Sequence, residues 1–168
     1  MNPFIRVHTG KKFYFLRPTV KQLDIVDIAY ALSGINRFTG HTRYNVAQHC
    51  CYCCDNVSEN IKLEALMHDA SEAYTGDCNS PLKLLLPQFK EIEQRVEKVI
   101  AKKFKLVFPF PAGVKTADLI MLATEMRDLM NGADYKDLPF EPLKEKIQVW
   151  DSERSYKEFL DRYEKYKR

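Results

Sequence analysis

His68 and Asp69 stand side by side in the stretch Leu63-Glu64-Ala65-Leu66-Met67-His68-Asp69-Ala70, and Glu72 follows within one helical turn. The positions Ile61, Ala65, His68, Asp69 and Glu72 predict one helix face that begins apolar and ends ionisable. Ionisable groups on a stripe meant for burial are costly unless they are paired or bind a metal. A His-Asp dipeptide alone says little, because a satisfied core histidine beside a surface aspartate looks the same. Two other segments sharpen the reading. His49 lies in Val46-Ala47-Gln48-His49, and Asp118 lies in Val114-Lys115-Thr116-Ala117-Asp118-Leu119-Ile120, each among apolar neighbours. Two imidazoles and two carboxylates from three helices make a donor set for a divalent transition ion, with positions left for water and substrate. Such an ion lowers the pKa of bound water and polarises a phosphoryl oxygen.

Helices must carry these groups, and the chain has the signals for them. Phe4-Ile5-Arg6-Val7 and Lys12-Phe13-Tyr14-Phe15 flank a turn at Thr9-Gly10 and predict a hairpin. Thr19 and Gln22 form a capping box ahead of Val20, Leu23, Val26, Ile28, Ala29 and Leu32, with Gly34 as a stop. A second helix is expected from about Tyr44 to Val57, and a third from Ser58 until Gly76 breaks it. Ser80-Pro81 predicts a short helix, and Phe89 to Phe104 a long amphipathic one. Phe108-Pro109-Phe110-Pro111 is a stiff connector to a helix ending near Met130, and Asp151 or Ser152 caps a final helix. With no internal repeat or composition break, the expected fold is a single all-α domain over residues 1–168, a helical bundle with a small N-terminal β-hairpin.

Composition narrows the classes of function. The 168 residues are 45% apolar and 29% charged, enough for a buried core and unlike a disordered chain. Lys and Arg number 26 against 23 Asp and Glu, a net +3 that does not argue for nucleic acid as a partner. No apolar run reaches the ~20 residues of a membrane helix, and Met1-Asn2-Pro3-Phe4-Ile5-Arg6 lacks a signal-peptide pattern, so a cytoplasmic location is expected. Cys50, Cys51, Cys53 and Cys54 crowd one segment, with Cys78 apart. Their CxxC spacing invites a zinc reading, but there is no second pair, and buried core thiols are the expectation.

The chain resembles the HD-domain phosphohydrolases, and within them the YfbR-like 5'-deoxynucleotidases and the short phage enzymes that remove phosphate from dATP. The likeness is densest from Arg37 to Lys83, in His68-Asp69-Ala70-Ser71-Glu72-Ala73-Tyr74-Thr75-Gly76-Asp77 and Ser80-Pro81-Leu82-Lys83, and extends through Asp118. It implies the HD-domain bundle, with His49, His68, Asp69 and Asp118 as ligands of a divalent cobalt, manganese or zinc ion. It implies Glu72 as the acid/base residue, Asp77 as the deoxyribose sensor, Arg37-Phe38 as the arginine-aromatic pair, and Lys83 and Lys115 as phosphate-binding lysines. Family members are often dimers or hexamers, so homo-oligomerisation is within the family's range. The chain departs from the pattern at His41, which has no counterpart in the longer nucleotidases, and at Phe38, which stands where Trp is common.

The residue types suit those roles. Arg37 can grip phosphate oxygens with a planar fork, the lysines act as point charges, and Phe38 offers a face for base or sugar. Glu72 can orient water or move a proton. Each also has a plain structural reading: Arg37, Lys83 and Lys115 as surface cations, Phe38 as core, Asp77 as a turn residue, Glu72 as a solvated helix position. The expectation is a metal-dependent enzyme stripping phosphate from dATP, dADP and dAMP and so clearing dATP from the nucleotide pool. A nucleotidase confined to deoxynucleoside monophosphates, a non-catalytic nucleotide-binding domain of the same fold, and a nuclease are the alternatives.

Overall fold

Phe4–Arg6 (β1) and Lys12–Tyr14 (β2) pair antiparallel, with Ile5 opposite Phe13, in the computed structural model, which describes residues 2–168. Met1 of the N-terminal stretch lies outside the described residues. Gly10 takes φ +81° in the connecting turn, a conformation that a Cβ disfavours. The hairpin is tied down: Thr9 donates from its backbone N at 2.7 Å and its hydroxyl at 2.9 Å to the buried Asp27 carboxylate.

The Thr19–Gln22 capping box forms, but it opens only a 3-10 turn at Val20–Gln22. Buried Leu23 is extended, which interrupts the expected helix, and Asp24 then caps a fresh one, α1, at Ile25–Gly34. Next comes α2 (Val46–Asp55), capped by Asn45, whose side chain accepts from Gln48 N at 2.9 Å. It packs against α1, α3 (Lys62–Met67), α7 (Ala112–Leu129) and α8 (Ser152–Tyr166). Eight of its ten residues are buried, from Val46 to Cys51 with Cys53 and Cys54, so its small thiols serve close packing on several sides.

The third expected helix does not run unbroken from Ser58 to Gly76. It stops at Met67, passes through a turn at His68–Ser71, and resumes as α4 (Glu72–Thr75). Across the turn Ala70 N bonds Met67 O at 3.1 Å and Glu72 N bonds Asp69 O at 3.0 Å, tighter i to i+3 contacts in place of the i+4 ladder. His68 Nδ1 meanwhile holds Ala65 O at 2.8 Å. Gly76 ends the run at φ +79°. Asn79, not Ser80, caps the short α5 (Ser80–Lys83), accepting from Leu82 N at 3.0 Å. The amphipathic α6 is Pro87–Phe104, and Asp151 caps α8. No helix is long and apolar enough to cross a membrane among the described residues.

The irregular segment between α7 and α8 is fastened to both α7 and α2. Thr124 Oγ1 accepts from Leu143 N at 2.9 Å, and Asp128 accepts from Ile147 N at 2.9 Å. Fully buried Gln48 donates to Gln148 O at 2.7 Å and accepts from Trp150 N at 2.9 Å. Gln48→Ala strands two backbone groups at once and is expected to cost about 2–4 kcal/mol of stability, read from urea unfolding. A loss below about 0.5 kcal/mol would show that water satisfies both groups.

Candidate active site

Three parts of the chain meet on one side of α2. His49 projects from α2, His68 and Asp69 from the tightened turn between α3 and α4, and Asp118 from α7. His49 Nε2 lies 3.3 Å from Asp118 Oδ1 and 3.7 Å from Asp69 Oδ2, and His68 Nε2 lies 3.2 Å from that same Asp69 oxygen. The four groups expected to converge are therefore neighbours, across sequence separations set by the bundle and not by any one helix.

Both rings are held with the inner nitrogen free. His68 Nδ1–H donates to Ala65 O at 2.8 Å, and His49 Nδ1–H donates to Glu125 Oε1 at 2.6 Å. A ring nitrogen that donates on one side leaves a lone pair on the other, the usual arrangement of a metal-binding histidine. His68 Nε2 is buried and has no hydrogen-bond partner, despite its 3.2 Å approach to Asp69. An orphaned imidazole nitrogen facing two carboxylates and a second imidazole suits a divalent transition ion, so the residues present fit the implied metal.

The carboxylates dominate the charge balance, so that without an ion the rings tend to hold a proton that a bound cation would displace. Burial and Arg37 oppose a charge on His49, yet Cys53, Glu125 and Asp118 outweigh them and push its pKa well up. Burial likewise opposes a charged His68, and Asp69 overrides it. Burial would raise Asp69 and Asp118, but His68 and His49 hold both far below the ordinary carboxylate range. The cluster is a concentrated negative field that draws cations.

Glu125 was not among the residues picked from the sequence. It is fully buried and bridges His49 Nδ1 and Arg37 Nε, the latter at 2.8 Å. The available signal was helical: Glu125 falls seven residues after Asp118, on the same face of α7, among Ala117, Met121 and Thr124.

A cavity of about 570 Å³ opens over the cluster. Asp69, Asp118 and Glu72 line it together with Arg37 and Phe38, and Asp77, Lys83 and Lys115 stand at its wall. Arg37 NH1 is 3.7 Å from Asp69 Oδ2, and the guanidinium lies 5.7 Å from the Phe38 ring centre. Phe38 and Thr39 both adopt φ +55°, a strained left-handed pair at the rim. Lys83 Nζ bonds Glu93 at 2.7 Å and lies 3.9 Å from Glu72 Oε1, while Lys115 Nζ bonds Asp118 Oδ2 at 2.7 Å. Burial, with Asp69 and Asp77 nearby, pushes the Glu72 carboxyl well above its ordinary value, and its Oε2 is buried without a partner. Asp77 is raised as well, chiefly by burial. His41 is exposed in the loop after Phe38 and does not line the cavity.

The YfbR-like 5'-deoxynucleotidase family model matches residues 33–164. That span contains every residue of the cluster and its cavity. The chain belongs to the YfbR-like 5'-deoxynucleotidase family. Among its relatives, the protein YfdR of Escherichia coli (strain K12) is 48% identical over 75% of this chain and 72% of its own length. A Rhodobacter capsulatus protein is 30% identical over 67% of this chain and 63% of its own. A protein named 5'-deoxynucleotidase yfbR in Photorhabdus temperata is 30% identical over 52% of this chain and 38% of its own. This YfbR-like chain is thus an all-α, HD-type bundle with a small hairpin, from a family named for phosphate hydrolysis of deoxynucleotides.

In this YfbR-like chain Glu125→Gln keeps the shape of the buried side chain but cannot accept from both His49 and Arg37 as a charged carboxylate does. The expected result is a roughly 10- to 100-fold weaker affinity for Co²⁺ or Mn²⁺ by isothermal titration, with the helical circular dichroism retained. Unchanged affinity would make Glu125 a packing residue only.

Proposed function

We propose that the protein is a divalent-metal-dependent phosphohydrolase that releases phosphate from 2'-deoxynucleotides, with deoxynucleoside 5'-monophosphates as its main substrates. The observation that carries this reading is one cavity where Asp69, Asp118, Glu72 and Arg37 meet above two buried imidazoles. His49, His68, Asp69 and Asp118 hold the ion, with cobalt, manganese and zinc as the candidates for this donor set. When bound, the ion supplies Lewis-acid activation of the phosphoryl group and of water.

The chain's own residues supply the rest. Arg37 has its Nε committed to Glu125, so its terminal nitrogens are held in a fixed orientation over the cavity. That is positioning of the kind phosphoryl transfer relies on. Glu72, whose carboxyl retains its proton above the ordinary glutamate range because of burial, gives that proton to the leaving 5'-oxygen as the P–O bond breaks. Phe38 packs on base or sugar, and Asp77 accepts from a sugar hydroxyl. Lys83 and Lys115 steer phosphate while paired to carboxylates.

That pairing favours a monophosphate. Arg37, Lys83 and Lys115 each already face a carboxylate, which leaves little uncommitted positive charge for a polyphosphate. The second reading, stepwise dephosphorylation of dATP, draws on the presence of all three cations around the same cavity.

A substrate panel separates the two. With added cobalt or manganese, phosphate release from dAMP is expected to exceed release from AMP and dATP, and Asp69→Ala is expected to abolish it. Release from dATP at a rate comparable to dAMP moves the assignment to the second reading. Metal and nucleotide binding without any release would instead leave a binding domain.

Glu72→Gln is expected to lower kcat by about 10²- to 10⁴-fold with little change in KM. A proton donor loses function as pH rises through its pKa, so native activity falls on the alkaline side and Glu72→Gln lacks that limb. An unchanged pH profile in the variant would remove Glu72 from the proton step.

A further inference from the structure

We infer that the Cys53 thiol is a further donor to the ion, making the site a sulfur-containing one that prefers zinc or cobalt to manganese. This rests on the metal reading of the proposed function. Cys53 follows His49 by four residues, so both side chains share one face of α2. Its Sγ is fully buried and lies 3.5 Å from His49 Nε2, the ring nitrogen left free by Glu125. Donor atoms of Cys53, His49 and His68 all fall within 4.8 Å of one another.

The spacing is compatible with ligands of one ion. Bonds of about 2.3 Å to sulfur and about 2.0–2.1 Å to nitrogen or oxygen, at the ~90–120° angles of five- or six-coordinate ions, place S and N donors roughly 3.1–3.8 Å apart and N and O donors roughly 2.9–3.6 Å apart. The observed separations are 3.5 Å for Cys53 Sγ to His49 Nε2 and 3.3 Å for His49 Nε2 to Asp118 Oδ1. A second observation is independent of the thiol: His68 Nε2, on a side chain 8% exposed, is buried and has no hydrogen-bond partner.

Cys53 is also set apart from the other thiols of α2. It packs with Ala65, Val114, Ala117 and Met121, where α3 and α7 bring His68 and Asp118 in, whereas Cys50, Cys51 and Cys54 belong to the larger core cluster. Cys50 is the competing donor, since it groups with His68 and Asp69. Thiolate in place of a neutral or oxygen donor raises affinity for soft and borderline ions, and the thiol proton is released as the ion binds.

The test uses Co²⁺ added to the purified, metal-depleted full chain and followed by absorption. Sulfur ligation gives a strong near-ultraviolet charge-transfer band, while imidazole and carboxylate alone give only weak visible d–d bands. The expected result is both sets of bands in the native protein. Cys53→Ser is expected to lose the near-ultraviolet band and keep the visible ones, with Cys50→Ser unchanged. Zinc affinity of Cys53→Ser, measured by chelator competition, is expected to fall by more than about tenfold, with manganese affinity unaltered. Visible bands without the near-ultraviolet band in the native protein overturn the inference and leave the metal site standing, and so does loss of the band in Cys50→Ser alone. A protein that gives no cobalt spectrum at all brings down the metal reading itself. If Cys53→Ser does not fold, X-ray absorption of the zinc-loaded native chain decides, by the presence or absence of a sulfur shell at about 2.3 Å.

Discussion

A fully buried carboxylate, Glu125, is held between an imidazole at 2.6 Å and a guanidinium at 2.8 Å, and the rest of the site is arranged around that contact. A lone charge in such a place is among the most expensive things a fold can contain. With His49 and Arg37 in place the charge is matched, and each partner is fixed in return. His49 is denied rotation and keeps Nε2 turned toward Asp69 and Asp118, while Arg37 is denied the freedom of a surface arginine. The network joins α2, α7 and the segment before α2, so the bundle must dock in one register for it to close. A buried polar network of this kind stabilises when complete and destabilises when partial.

The backbone departs from regularity where the chemistry is. The apolar spacing before His68 to Ser71 predicts a continuous helix, whereas the chain makes a tighter turn there. Tightening to i+3 contacts moves Asp69 and Glu72 relative to an ideal helix, and both face the cavity. The same holds across the cavity, where Phe38 and Thr39 take left-handed conformations that neither side chain favours. The strain at Phe38 and Thr39 sits beside well-packed helices, in particular α2 with its eight buried residues.

This explains what could and could not be read from the residues. Helix positions were legible because apolar periodicity and caps act locally, as at Asp151 before α8, although the short α5 is capped by Asn79 and not by Ser80. The interruption after Leu23 was not, because it follows from burying one leucine against elements distant in sequence. His49, His68, Asp69 and Asp118 were legible as residue types in apolar surroundings, yet their convergence is a tertiary fact. Glu125 was invisible for a related reason. A glutamate in a helix is ordinary on a solvated face, and only the docking of α7 on α2 makes this one buried. Cys53 was discounted along with its neighbours because a helix turns adjacent thiols in different directions. The same turn of the helix sets Cys53 beside His49 and Cys50 near His68 and Asp69, while Cys51 and Cys54 pack in the larger core.

Selectivity among phosphates is then a question of displaced partners. Lys83 already bonds Glu93, Lys115 already bonds Asp118, and Arg37 is engaged by Glu125 and approached by Asp69. An incoming phosphate gains from each cation only the difference between its own contact and the one it displaces. For Lys115 the exchange is easiest, since its side chain is 69% exposed and a surface ion pair is weak. For Arg37 the exchange is partial, because Nε bonds Glu125 while the terminal nitrogens make no hydrogen bond and one stands 3.7 Å from Asp69. On the proposed function the strong anchor is one phosphate wide, beside Asp69, and further phosphates would meet cations that must first release a carboxylate. Binding energy concentrated at the reacting phosphate, with little spread along a polyphosphate, is the arrangement that serves hydrolysis of that one bond.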